Sequence, residues 1–404
     1  MTRENMVPRR GRSLWRFGAP CLAAVLAACE LGVTNPGRIE DEALNTATAM
    51  GPLVTGMAGD FATIYDQMAY FMGIASGEIT HSGAFETEQF LARGEIEPRH
   101  VNAMWGQMHR ARWVAEQGIE RMRTVLGTDF ATSALAAEAS LWAGFSNRML
   151  GENVCVAVFD GGPSGDVLEH FRRAETNFTD GITLAQAAGS TAATLLTAGY
   201  AGRAQVRAAL GNWAGAASDA QMVGTAFRFQ ALYSAANSRE YNWLYNESFA
   251  RDYFSVWGTF AFSLNNTDPR MPFINRNRNG ADGKTPAYRQ MKYITYAAAI
   301  DIAAGDEMRL IEAEKLLRVD VDVSGAMTPI NDVRTAAGVS TKTATTVAEA
   351  MAVLRVERDI VLWLEARHLW DLQRFDDSFL SGRDRCIPPS ENEQNTNPNL
   401  QGSP

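Results

Sequence analysis

Apolar residues recur at helical spacing along nearly all of the chain after residue 41. In Met308-Arg-Leu-Ile-Glu-Ala-Glu-Lys-Leu-Leu317, Leu310, Ala313 and Leu317 share one helical face. Residues 326–337 repeat that pattern with Ala326, Ile330, Val333 and Ala337, and Gly338 stands where a left-handed cap ends a helix. Pro329 removes an amide donor, so this helix is expected to start at or just before Thr328, or to kink there. Thr346-Val-Ala-Glu349 has the spacing of a capping box, and the helix it opens is expected to run unbroken to about Phe375. Upstream, helical patterns at 136–150 and 167–187 flank a Gly-rich turn at 160–165. Those at 192–210 and 214–223 flank Gly211-Asn212-Trp213. In the latter pair Ala204, Ala209, Ala216 and Ala220 have the layout of a tetratricopeptide repeat, whose small residues let paired helices approach closely.

Two stretches break this periodicity. Residues 77–102 are rich in Gly, Glu and Thr and carry His81, Phe85 and Phe90. Residues 227–300 alternate aromatics with Asn, Arg and Gly and contain Asn275-Arg276-Asn277-Arg278-Asn279-Gly280, a loop signal compatible with a hairpin. Loops held by a rigid frame carry binding residues out of proportion to their length, so function is expected in these two stretches.

Charges on the last helical pattern have a different character. Arg358 and Glu365 fall on one face two turns apart, and Arg367, Asp371 and Arg374 alternate in sign at i, i+4 and i+7, interleaved with Leu354, Val361, Leu364 and Trp370. Mixed charges at that spacing read as structural ion pairs or a solvated face, not as a ligand site.

The run Arg309-Leu-Ile-Glu-Ala-Glu-x-Leu-Leu, then Ala326-Met-x-x-Ile-Asn-Asp-Val-Arg-x-x-Ala-Gly, then Glu357-Arg-x-x-x-Leu-Trp-Leu-Glu-Ala-Arg-x-Leu-Trp-Asp-Leu-x-Arg-Phe resembles the C-terminal half of the SusD/RagB family of outer-membrane nutrient-binding lipoproteins. The tail from Cys386-Ile-Pro-Pro to Asn397-Pro-Asn-Leu-Gln401 resembles that family's ending. Ala366 departs from the pattern, since the family usually has glycine there, and Pro329 is a second departure. The resemblance implies an all-α fold of tetratricopeptide-like helix pairs with long loop insertions. It also implies capture of a nutrient, often a glycan, and its delivery to a SusC-like TonB-dependent transporter, with no cofactor and no catalysis.

Composition and the first thirty residues add a compartment. The chain has 404 residues and 46% hydrophobic content, enough for a sizeable core. Residues 1–28 carry five arginines against one glutamate, followed by an apolar stretch from Phe17 too short to span a membrane. They read as a lipoprotein signal peptide ending in Leu26-Ala27-Ala28-Cys29, in which Cys29 receives lipid. Residues 29–40 then form a tether, and 41–404 a single helical domain. Without that leader the formal charge falls from -9 to -13, which speaks against nucleic-acid binding. Each buried methylene contributes ~0.8 kcal/mol, so several acyl chains hold firmly. The location implied is the outer membrane, lipid-anchored and facing the cell surface. Cys21 leaves with the leader and Cys29 takes lipid. Cys155 and Cys386 are then expected to form a disulfide in an oxidising compartment, the alternative being two separate buried thiols.

A search for chemistry finds neither a His-Glu-x-x-His, a P-loop nor a nucleophile elbow, and Gly162-Pro-Ser164-Gly165 lacks the elbow's spacing. The five histidines, His81, His100, His109, His170 and His368, are scattered, so no metal site is expected. A hydrolase whose two carboxylates meet only in space is the alternative, because 46 acidic residues leave room for one. A pure adaptor of the transporter is another. A sugar receptor needs exposed rings beside polar side chains that can pair with hydroxyls. Phe85, Gln89 and Phe90 in the first stretch, with Tyr241, Asn242, Trp243 and Arg276 in the second, have that composition and are the candidate ligand-binding residues. The competing reading is that Tyr241 and Trp243 are core, as large aromatics usually are.

Overall fold

The computed structural model describes residues 41–264 and 266–400; the expected signal peptide, Cys29 and tether lie outside the described residues. Helix α1 (Met50–Ala75) is apolar on most of its faces and places Phe61, Tyr65 and Tyr70 in the core. After the short α2 (Glu86–Arg93) comes α3 (Asn102–Leu126), and then α4 (Ala134–Asn153), α5 (Leu168–Ala188), α6 (Ala193–Ala209) and α7 (Trp213–Ala220) pack each on the next. These are the tetratricopeptide-like pairs. Their closeness depends on missing side chains: a Cβ on Gly144 in α4 would stand 2.7 Å from the Phe178 ring of α5, and one on Gly202 in α6 would strike the same ring. Phe178 is thereby sealed between two glycines with no exposure.

The second half returns to helices at α10 (Gly305–Lys315), α11 (Val323–Ala336), α12 (Val347–Val361), α13 (His368–Arg374) and α14 (Glu391–Thr396). Between α7 and α10 lie the one-turn helices α8 (Trp243–Tyr245) and α9 (Phe260–Ser263), a 3-10 turn (Ser238–Glu240), a π-helical turn (Asn246–Ala250) and most of the short strands. Leu310, Ala313, Leu317, Ala326, Ile330, Val333 and Leu354 form a satellite core beside the main one. Gly338 takes φ +72 at the end of α11, and Thr346 and Glu349 close the capping box on α12. α11 begins at Val323, however, and carries Pro329 inside it, earlier than the proline implied. Asp322 caps its start by accepting from the Gly325 amide at 2.8 Å, which fixes the first turn before the proline is reached.

Strand β1 (Thr80–His81) pairs antiparallel with β3 (Phe254–Ser255), β2 (Arg228–Ala231) with β6 (Ile300–Ala304), and β4 (Phe273–Asn279) with β5 (Pro286–Gln290) as a hairpin. The β1–β3 pair joins the two aperiodic stretches. The first of these is less irregular than its composition suggests, since α2 occupies its middle and ends at Gly94 in a left-handed cap, φ +82. Cys155 and Cys386 are bonded, their Cα atoms 5.0 Å apart across 231 residues. The Cys155 amide beside the bond donates to the Ile387 carbonyl at 2.9 Å. Among the described residues no helix is long and apolar enough to cross a membrane.

The expected unbroken helix to Phe375 does not form. α12 stops at Val361, Leu364 and Ala366 take φ +60, and α13 restarts at His368. Ala366 has the left-handed backbone that glycine adopts without penalty, at the position where the family resemblance supplies glycine. The freed backbone groups are met from elsewhere in the fold: Leu364 N–H donates to the Glu78 carboxyl, Lys292 Nζ donates to the Trp363 carbonyl at 2.6 Å, and Tyr65 Oη donates to the Glu365 carbonyl at 2.8 Å. The break also turns the charges inward. Arg358 bonds Asp371 at 2.8 Å, Arg374 bonds Asp371 and Glu314 at 2.6 Å each, and Arg367 reaches Glu152 at 3.0 Å and Glu307 at 3.1 Å. Of the two readings of this stripe, structural ion pairs hold and a solvated face does not. Arg358 and Glu365 do not pair; Glu365 bonds Lys292 at 2.6 Å.

Candidate functional site

A cleft of about 610 Å³ opens between the N-terminal half of α1 and the segment 232–243. α1 contributes Asp60, Asp66 and Gln67, and the opposite wall contributes Arg239, Tyr241 and Trp243. The wall is held by a single turn. Asn242 caps α8 by accepting from the Tyr245 amide at 2.8 Å, while its own Nδ2 donates to the Ala298 carbonyl at 2.8 Å. That cap points the Trp243 amide at α1, where it donates to Asp66 Oδ2 at 2.7 Å. Tyr241, on the other side of the cap, stacks on Tyr296 with ring centres 3.9 Å apart. Tyr233 ties the same segment to α1 by donating from Oη to the Ala62 carbonyl at 3.0 Å.

Both rings stay partly exposed, so the competing reading of Tyr241 and Trp243 as full core does not hold. The indole Nε1 of Trp243 has no hydrogen-bond partner among the described residues. Burial pushes the Asp66 carboxyl well above its ordinary range, against the pull of the Trp243 amide. From Trp243 the aromatic surface continues outward: Arg251 lies 5.9 Å from that ring and 5.5 Å from Tyr253, and Tyr253 meets Phe85 edge-on at 5.3 Å. Phe85 is 50% exposed, so this band ends in solvent.

The remaining candidates go elsewhere. Asn242, expected near the floor of a binding cleft, is fully buried and its side chain is committed to backbone partners. Phe90 turns to the far side of α2, against His100 at 4.6 Å and under Arg93 at 4.3 Å, because five residues at about 100° each carry it roughly 140° around the helix from Phe85. Gln89 is exposed and donates to the Ala84 carbonyl at 3.4 Å. Arg276 sits on the β4–β5 hairpin and does not line the cleft. The polar residues of α1 were missed by sequence reasoning. Their signal was Asp66-Gln67, a polar pair interrupting a strongly apolar helical run.

Residues 234–402 match the model of the SusD family. No curated protein matches the chain. Among solved structures, a laminarin-binding SusD-like protein superposes with a TM-score of 0.70 at 12% identity, covering 86% of this chain and 97% of its own. A SusD superfamily protein from Parabacteroides distasonis gives 0.70 at 12% identity, covering 91% and 100%. A SusD/RagB family protein from Bacteroides thetaiotaomicron gives 0.66 at 13%, covering 86% and 94%. At such identities the likeness is one of fold: a tetratricopeptide-like helical frame with loop insertions. The chain thus matches the SusD family in sequence over residues 234–402 and is similar to SusD-like proteins in fold over most of its length.

Proposed function

We propose that this protein is a surface lipoprotein of the outer membrane that binds a carbohydrate in the α1 cleft, without turning it over, and passes it to a TonB-dependent transporter. One observation carries the binding: on a SusD fold, two half-buried rings, Tyr241 and Trp243, meet Asp60, Asp66, Gln67 and Arg239 in one open cleft. A sugar ring needs an apolar face to stack on and paired donors and acceptors for its hydroxyls. Similarity to a laminarin-binding fold relative makes laminarin the first glycan to try.

The test is calorimetric titration of a glycan panel beginning with laminarin, with product analysis after prolonged incubation. Binding with intact glycan supports the reading; release of shorter sugars would replace it with a hydrolase. The lipid anchor rests on Leu26 to Cys29. Cys29→Ser is expected to abolish acyl labelling and free the protein from the membrane fraction. The hand-off rests on the family alone, and detergent extracts of native membranes are expected to co-purify a large β-barrel transporter. Recovery of the lipoprotein alone at several detergent strengths would remove that part.

A further inference from the structure

A second hollow, of about 600 Å³, lies on α3 and is lined by residues that the first cleft does not use. Trp113, an indole half exposed on a helix face, forms its rim. Its floor is Trp105 with His109 tilted against it, ring centres 4.5 Å apart. Polar groups of both signs surround these rings: Arg110, Arg112, Asp160 and Glu393. Arg112 bonds Asp160 at 2.6 Å and Glu116 at 2.6 Å, which fixes its guanidinium, and its Nε has no hydrogen-bond partner among the described residues. His109 Nε2 has none either. Burial, and then Arg112 beside it, push this imidazole down to about 3, so it is neutral at any working pH. A neutral imidazole and an anchored guanidinium thus line the same hollow as the exposed indole, each with a buried polar atom that no described residue pairs.

The carboxylates of Asp160 and Glu393 oppose an anionic ligand, and the charged rim opposes a purely apolar one. A neutral polyhydroxylated ring satisfies both conditions. Position matters as much as chemistry. Asp60 lines the α1 cleft and Arg110 lines this one, and the two are bonded at 3.2 Å across the α1–α3 contact. The hollows therefore adjoin along one face.

From this we infer that the α3 hollow around Trp113 and His109 is a second carbohydrate subsite, and that a glycan chain crosses the Asp60–Arg110 pair to occupy both hollows at once. The inference rests on the carbohydrate reading of the first cleft. It adds a preference for long chains, because a ligand bound at one hollow presents its next residues to the other at high effective concentration.

The experiment uses the detergent-solubilised full chain, laminarin polymer and its trisaccharide, with the other polymers of the panel and their trisaccharides if laminarin is not bound. Two trisaccharides per wild-type protein are expected, falling to one in Trp113→Ala and to one in Trp243→Ala. The polymer is expected to bind about tenfold more weakly to either variant. Trp113 is half exposed, so its variant is expected to fold. His109→Phe, which keeps the ring and removes Nε2, gives a second reading, and unfolding midpoints control for both. A wild-type protein that binds no glycan overturns this inference and the reading beneath it. One trisaccharide site, lost in Trp243→Ala and untouched in Trp113→Ala and His109→Phe, overturns the second subsite alone. Loss of a co-purifying membrane protein in Trp113→Ala with glycan binding unchanged also overturns it, and assigns the hollow to a protein contact.

Discussion

The break between α12 and α13 and the cleft beside α1 are built from similar side chains, yet they have opposite fates. At the break, Arg358, Arg367 and Arg374 each face buried carboxylates. At the cleft, Gln67 and Arg239 border open space next to half-buried rings. Taking a charge out of water costs several kcal/mol unless a partner and further hydrogen bonds meet it, so the first arrangement tolerates almost no change. The second leaves hydrogen-bonding capacity unspent, which is what a ligand requires. Charged residues near aromatics therefore indicate function only where the fold leaves them unsatisfied.

The strongest way to break this contrast is Arg367→Ala. It strands Glu152 and Glu307 without their shared guanidinium, and a loss of about 3–5 kcal/mol is expected in denaturant unfolding. A loss below about 1 kcal/mol would mean that the network is dispensable.

Removing the Cys155–Cys386 bond by a double Ser substitution is expected to cost roughly 3–5 kcal/mol, since the bond closes a loop across 231 residues. Two free thiols in the unreduced protein would contradict the bond outright.

The third test uses pH. Burial pushes the Glu78 carboxyl up to about 7 against the opposing pulls of His368, the Leu364 amide and Lys292, while Asp359 pushes the same way as burial. Its folded value lies above its unfolded one, so the stability it contributes is complete below about pH 4.5 and is lost as pH rises through about 7. Asp371 behaves oppositely: burial would raise it, but Arg358 and Arg374 outweigh burial and hold it low, so its contribution disappears only in strong acid. Burial also pushes Glu365 up to about 8, in the same direction as Glu78, so stability is expected to fall by several kcal/mol between pH 5 and 8, of which Glu78→Gln is expected to remove roughly 2–3 kcal/mol. An unchanged slope in that variant would assign it to another group.

The smallest effects belong to the cleft. Tyr241→Ala and Trp243→Ala are each expected to weaken glycan binding several-fold, on the order of 1 kcal/mol per lost stacking contact. Asn242→Ala is expected to lower stability by about 1 kcal/mol through the lost α8 cap. Equal loss of binding and stability in all three variants would erase the distinction between wall and support.

Much of the frame was legible from local pattern alone. The faces of α10 and α11, the capping box at Thr346 and the left-handed Gly338 need only neighbours within one or two turns, and such neighbours are written consecutively in the chain. The cleft was legible in part. Composition pointed to Tyr241 and Trp243, but grouped them with Phe90, Gln89 and Arg276, which the fold sends elsewhere. It could not pick out Asp66, because the bond that makes this residue part of the site joins it to Trp243 across 177 positions.

By itself, the sequence determined helix periodicity, caps, the likeness to SusD/RagB proteins, and the two aperiodic stretches in which rings and polar residues concentrate. Only the tertiary structure decided that the last helix breaks at 362–367. The left-handed turns at Leu364 and Ala366 are held by Glu78, Lys292 and Tyr65, each brought from 71 or more residues away. It alone decided which charges are buried and paired and which stand open beside a ring. Local spacing sets which face of a helix a residue occupies; what covers that face depends on contacts that a one-dimensional pattern does not encode.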